Sequence, residues 1–393
     1  MTNSDYIYLD YNATTPVDAR VLEAMLPYFT EVYGNAASID HEAGHEAKRA
    51  VEAAREQCAQ IINAADPKEI VFTSGATESD NIALFGVAEK YAAKGDHIIT
   101  CVTEHKAILD CCKRLEQMGK RITYLPVDQY GIVDLDALRA AITPQTILIS
   151  MMFANNEIGT IAPVKEIGAI AHEQGVLFHT DAAQAVGHIP VDVESMNIDL
   201  LSFSAHKVYG PKGIGGLYVR RHNPRVKVSP VIYGGGHELG IRSGTLNVPG
   251  IVGMGKALEI ARAEMKKEGD KYRQWTQMMF KQLRDQLGDV ELNGHPTQRL
   301  PHNLNVSIKG IESRSLIVQL KNIAISTGSA CTSASVEPSH VILALGFGEE
   351  RAHSAIRMGV GRKNTDAEVE FAISAITSGV TKLGSLVSQT HYS

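Results

Sequence analysis

The stretch SFSAHKVYGPKGIGG, residues 202–216, puts Lys207 just behind a short apolar run, after Ser204 and His206 and ahead of a glycine-rich turn. α/β sheets gather ligands outside the carboxyl ends of their strands, and an amine there is placed to form an imine with a carbonyl group. A second stretch, TGSACTSAS at 327–335, sets Cys331 among Gly, Ser, Thr and Ala. Structural cysteines sit among aliphatic side chains and act as small hydrophobes, so Cys331 reads as a loop thiol kept for chemistry. Each residue alone also fits a plainer reading, a surface lysine in a turn and an inert loop cysteine.

Other strand ends carry matching groups. FHTDAAQ supplies Asp181 with Gln184 three residues on, TSGATESDNIA supplies Gly75, Ala76 and Thr77 at the start of a helical pattern, TEHKA supplies His105, and FANNEIG supplies Asn155 and Asn156. Pyridoxal phosphate needs an amine to carry it, an anion site for its phosphate and an acid facing its pyridine nitrogen. Lys207, the Ala76–Thr77 helix start and Asp181 are candidates for those three tasks, with Gln184 reaching a ring substituent and His105 stacking on the ring and moving protons. Singly, each has a bland alternative: Asp181 capping a helix from about Ala182, Thr77 and Asp80 forming a capping arrangement, His105 as one structural histidine of fifteen. Convergence of Thr77, His105, Asn156, Asp181 and Lys207 on one sheet edge is the argument.

The elements that must position them alternate. EIVFTS, HIITC, RITYLPV and TILISMMFA each precede a helical pattern, and VLFHTD, DLLSFS and GGLYVRR follow with little helix between the last two. This predicts a mainly parallel sheet of about seven strands with one antiparallel member, an α/β fold. From Val248 to about Leu287, Tyr272, Trp275, Met279 and Leu283 recur at helical spacing, so one long helix leads into a second unit. VELNG, LNVSIKG and AISTGS read as strands there, and TDAEVEFAISAITSGVTKLGSLV as a last helix opened by a Thr365–Glu368 capping box. The expected organisation is a large cofactor-binding domain over 15–260 and a small α+β domain from 1–14 and 261–393, bearing the cysteine loop at about 326–336.

With 38 basic and 44 acidic residues and a formal charge of -6, and without a long basic run, direct nucleic-acid binding is not expected. The amino terminus has early acids rather than a basic-then-apolar signal, and no apolar run approaches the ~18 residues of a membrane span; a cytoplasmic protein without membrane contact is expected. The five cysteines contain no CxxC pair, which argues against disulfides and an intrinsic metal site. Cys101, Cys111 and Cys112 read as structural.

Taken in order, YLDYNATTPVD, FTSGATESDNIA, TEHKA, NNEIGT, HTDAAQ, SFSAHKVYGPKGIGGLYVRR, GGGHELGIRSGTLNVPGIVG and TGSACTSASVEPS resemble the NifS/IscS-type cysteine desulfurases of the class V aminotransferases, from about Tyr8 to Arg362. The resemblance implies the type I aminotransferase fold, a homodimer, and pyridoxal 5'-phosphate carried by Lys207 at the domain boundary. It implies Asp181 on the pyridine nitrogen, Gln184 on the ring hydroxyl and His105 as acid/base. Ala76, Thr77, Ser204 and His206 would hold the phosphate, joined by Thr245 of the partner subunit. Asn156 would bind near the cofactor, and Arg357 would take the substrate carboxylate through a bidentate pair.

Cys331 would attack the sulfur of substrate L-cysteine, become a persulfide and leave alanine. The small residues around it would suit a hinged carrier. An iron–sulfur scaffold leads as acceptor, with thiolation of transfer RNA or DNA behind, and Cys331 could ligate a transient cluster with such a partner. Two features depart from the pattern: the chain ends at TKLGSLVSQTHYS without a longer acidic and aromatic tail, and HELGIRSGTLNVPG mixes an IscS-like RSGTL with a NifS-like NVPG. The alternatives are a selenocysteine lyase, another elimination or transamination enzyme on this fold, or a non-catalytic sulfur-carrier or scaffold-binding module.

Overall fold

The computed structural model describes residues 6–327 and 337–390, with side chains described as far as 385. A two-residue strand near the start, β1 (Ile7–Tyr8), ties the amino-terminal segment to the far end of the chain by pairing in parallel with β11 (Ile323–Ala324). The main sheet comprises β2 (Ile70–Thr73), β3 (His97–Cys101), β4 (Arg121–Leu125), β5 (Thr146–Ser150), β6 (Leu177–Asp181), β7 (Leu200–Ser204) and β8 (Gly215–Val219), in the order β2-β8-β7-β6-β5-β3-β4. Only β8 runs against its neighbours β2 and β7. Every residue of β2, β3, β5, β6, β7 and β8 is buried. Helices cover both faces of such a sheet, so its strands need no polar alternation. The edge strand β4 alone keeps an exposed face at Arg121.

Two observations explain the sheet's local shape. A Cβ added at Gly215 would lie 2.6 Å from Gly75 Cα and 2.7 Å from the Phe203 carbonyl. Only glycine lets β8 pass this close to the turn that follows β2. The helix Ala76–Lys90 then starts from Gly75 without a side-chain cap, so the capping role considered for Thr77 and Asp80 is not what the structure shows. Asp80 is instead fully buried. Likewise Asp181 caps no helix: residues 183–188 form turns, and its Oδ1 accepts the Ala183 N–H at 2.9 Å.

The helix Val248–Leu287 is 40 residues long, with Asn247 accepting the Gly250 N–H at its start and Gly288 at φ 79° ending it. Its first half packs Val248, Ile251, Met254 and Leu258 into the core under the main sheet. Its second half packs Tyr272, Trp275, Met279 and Leu283 into a separate apolar cluster. That cluster is roofed by the antiparallel sheet β12 (Ala355–Gly359), β10 (Asn303–Ile308) and β9 (Val290–Leu292). The closing helix Asp366–Thr390 begins with the expected capping box: Thr365 N–H to Glu368 at 2.9 Å and Glu368 N–H to Thr365 Oγ1 at 3.2 Å. Two strand expectations change. Among the described residues, AISTGS contributes Ala324 to β11 and a bridge between Ser326 and Arg357, and β12 was not anticipated, because its central residue is a buried arginine. Among the described residues no helix is long and apolar enough to cross a membrane.

Candidate active site

A cavity of about 530 Å³ opens at the carboxyl edge of the main sheet, and Thr77, His105, Asn156, Asp181 and Lys207 all line it. Ala76, Gln184, Ser204, His206 and Arg357 line it too. The volume falls in the range that holds a small cofactor with its substrate.

Lys207 lies in a single helical turn directly after β7. Its Nζ donates to the carbonyls of Asn12 and Ala13 at 2.7 and 2.8 Å. Asn12 is the organiser here: its carbonyl also accepts the Gln184 amide at 2.9 Å, and its own amide donates to Gln184 Oε1 at 3.2 Å. The amino-terminal segment thereby forms one wall of the cavity. His188 braces the same turn from behind, pairing with the Lys207 carbonyl at 2.8 Å, and burial holds its ring neutral with a pKa near about 4.

Beneath the cavity lie three buried carboxyls, Asp181, Asp80 and Glu104. Burial raises Asp181, while His105, the Ala183 N–H and Lys207 pull it back. Burial and then repulsion from Asp181 push Asp80 well up, while the Ser202 hydroxyl pulls it back. His179, 3.7 Å from Asp80, gives no countercharge, because burial lowers its pKa to about 3. Burial likewise lifts Glu104 to about 8, although its Oε1 accepts the Met152 N–H at 2.7 Å. Such a nest of acids favours a cation above it, since an ionised carboxylate in apolar surroundings is costly without a partner.

His105 caps the helix Lys106–Gln117, its Nδ1 accepting the Ala107 N–H at 3.1 Å, which puts the proton of the neutral ring on Nε2. At the other end of the cavity, the first turn of the 15-residue helix Ala76–Lys90 presents backbone N–H groups that no carbonyl of the helix can reach. His206 faces this corner, its Nδ1 on Thr14 at 3.1 Å and its pKa lowered to about 4 by burial and by Lys207 and Lys212.

Arg357 is 2% exposed and sits at the centre of β12. One nitrogen donates to Asp10 at 2.8 Å, another to the Asn156 carbonyl at 3.0 Å, and Nε has no partner among the described residues. The adjacent Asn155 is structural, its amide bridging Thr103, Glu157 and Ile158.

The family described as Aminotransferase class-V matches residues 7–371. The protein named "Cysteine desulfurase IscS" of Rickettsia peacockii is 54% identical over 380 residues, 97% of this chain and 92% of that one. The chain belongs to the class V aminotransferases, among the NifS/IscS-type cysteine desulfurases. A solved NifS-like protein is 38% identical with a TM-score of 0.89, covering 96% of this chain and 99% of its own. SspA, solved in complex with cysteine, is 39% identical with a TM-score of 0.81, covering 90% of this chain and 98% of its own.

As a class V aminotransferase the protein is pyridoxal phosphate dependent, and its own residues fit that group. The amine, the buried acids and a helix start whose first N–H groups no helix carbonyl reaches surround one cavity of suitable size. Thr245 is apart from the others: it is exposed and does not line this cavity. Cys331 lies outside the described residues. The described residues flanking its segment meet the site, with Ser326 and Arg357 exchanging backbone hydrogen bonds at 3.1 and 2.6 Å and His340 reaching the Glu104 carbonyl at 3.1 Å. Sequence reading missed Asn12, Asp10 and Glu104, and took Asp80 only as a cap. The polar run DYNATT between β1 and the first helix was a usable signal for the first two; for Glu104 there was none.

Proposed function

We propose that the protein is a cysteine desulfurase that moves sulfur from L-cysteine onto Cys331 and releases L-alanine. The observation that carries this is one cavity lined by Lys207, Asp181, His105 and Arg357, with Ser326, five residues before Cys331, hydrogen-bonded to Arg357 at its rim. The cysteine bound by the similar SspA supports the substrate.

Pyridoxal phosphate, carried by Lys207, supplies an electron sink that loosens bonds around the substrate α-carbon and its neighbour. Asp181, Gln184, Asn156 and the stacking ring of His105 hold its ring, and Ala76, Thr77, Ser204 and His206 hold its phosphate. Arg357 fixes the substrate carboxylate, and Asp10 and the Asn156 carbonyl keep its guanidinium in one orientation. Cys331 then attacks the substrate sulfur: an S–S bond forms, the C–S bond breaks, and its electron pair leaves with the carbon fragment, which takes up a proton and ends as alanine. A free thiol has a pKa near ~8.5, so only a small fraction is thiolate at neutral pH. His105 Nε2 handles that proton.

The same reading makes the protein a cytoplasmic homodimer of a large domain, 15–260, and a small one, 1–14 with 261–393. Thr245, exposed on its own protomer, serves the partner's phosphate site, and exposed Tyr233 and Leu239 nearby supply apolar surface for a second copy. The persulfide passes to an iron–sulfur scaffold or another thiolation partner.

The test compares wild type with Cys331→Ala. Both are expected to hold the cofactor and its visible absorbance, and only wild type is expected to yield alanine from L-cysteine, with sulfide released from its persulfide when a thiol reductant is added. An equally active variant would move the chemistry to another pyridoxal reaction.

A further inference from the structure

The helix start that would receive the phosphate contains a contradiction. Glu78 lies in the first turn of the helix Ala76–Lys90 and lines the cavity. Its Oε2 accepts the Ser74 N–H at 2.7 Å, so its carboxylate stands where a phosphate needs positive potential. An acid there suits the helix dipole, but it also repels a second anion. Coulomb repulsion between unit charges a few ångströms apart near a protein surface is large enough to shift binding tenfold or more.

The structure resolves this from outside the cavity. Arg242 Nε donates to Glu78 Oε1 at 2.8 Å, and both side chains are largely shielded. Burial alone would raise Glu78, yet Arg242 and Ser74 hold its carboxyl below the ordinary range. The loop bearing Arg242 is itself anchored. Glu238 makes a bidentate pair with Arg55 at 2.7 and 2.8 Å and accepts the Phe72 N–H at 2.8 Å, on the strand that leads into this corner. Glu238 and Leu239 carry left-handed φ angles of 46° and 59°. A strained pair of non-glycine residues persists only where surrounding contacts hold it, and the Arg55–Glu238 pair is such a contact.

We propose that Arg242 is a positioning residue for the cofactor: by neutralising Glu78 it keeps the Ser74–Thr77 corner attractive to the phosphate. This rests on reading that corner as the phosphate site. It concerns the phosphate alone, so it separates charge compensation from general support of the fold.

The full chain, freed of cofactor, is titrated with pyridoxal phosphate and with pyridoxal, which lacks the phosphate. Arg242→Met is expected to weaken pyridoxal phosphate about tenfold or more and to leave pyridoxal within twofold. Arg242→Met combined with Glu78→Gln recovers most of the loss, because the uncompensated charge is gone, and Arg242→Lys retains most of the affinity. Equal weakening for both ligands, no weakening, or no recovery in the double variant would overturn the proposal. A wild type that binds the two ligands equally would overturn the phosphate-corner reading beneath it instead.

Discussion

Replacing Glu104 by Gln tests whether a neutral acid sits under the cofactor cavity. In the folded protein burial holds this carboxyl near about 8, against an ordinary value of 4.5. The folded state therefore keeps a proton that the unfolded chain releases above pH ~4.5. Between that pH and about 8 each step upward favours the unfolded chain, so stability is lost as pH rises and the loss levels off above about 8. Raising the carboxyl from 4.5 to about 8, at ~1.4 kcal/mol per tenfold change in proton affinity, caps the effect at roughly 5 kcal/mol. Gln carries no such proton and keeps an oxygen for the Met152 N–H. Urea midpoints for wild type and Glu104→Gln at pH 5, 7 and 8.5 give the comparison. Wild type should lose roughly 2 to 5 kcal/mol more than the variant across that range. Parallel pH dependences would refute the assignment of a proton to Glu104.

Three further outcomes follow from specific contacts in the structure. Arg357→Lys cannot hold Asp10, the Asn156 carbonyl and a carboxylate together, so the KM for L-cysteine should rise and kcat/KM fall roughly 10- to 100-fold in steady-state assays. Gly215→Ala drives a Cβ to 2.6 Å from Gly75 Cα, which should cost about 1–3 kcal/mol by thermal melting and reduce cofactor content measured after gel filtration. Trp275→Phe loses the 2.6 Å bond from Nε1 to Asp366 that joins the long helix to the last one, and urea unfolding should register roughly 1–3 kcal/mol.

The main sheet was readable because EIVFTS, HIITC, RITYLPV and TILISMMFA each precede a helical pattern, and continuous apolar runs such as TILIS leave no competing period. The Val248–Leu287 helix was readable from Tyr272, Trp275, Met279 and Leu283. β12 was not: AIRMG hides its arginine in the site, and a buried Arg357 stabilised by Asp10, hundreds of residues away in sequence, breaks the local strand pattern. Asp80 escaped for a similar reason, since a carboxyl at a helix start is ordinarily a cap, and only the packed sheet puts it beside His179. Asn12 acts through its carbonyl, which no side-chain pattern reports.

The long helix also sets a rule about length. Its two ends are buried in different cores, while most of the stretch between Ala261 and Tyr272 faces solvent. The exposed positions of that stretch are open to change in identity, whereas Glu264 pairs with Arg20, Glu268 with Arg362, and Met265 packs on the first core. The stretch is closed to change in number: one inserted residue turns everything downstream by about 100° and advances it ~1.5 Å. Trp275, Met279 and Leu283 would then face water. Drift along this lineage should therefore accumulate as substitutions at the exposed positions of 262–271 and avoid single-residue gaps there, so that a largely solvent-facing segment behaves as a gauge block between the two cores.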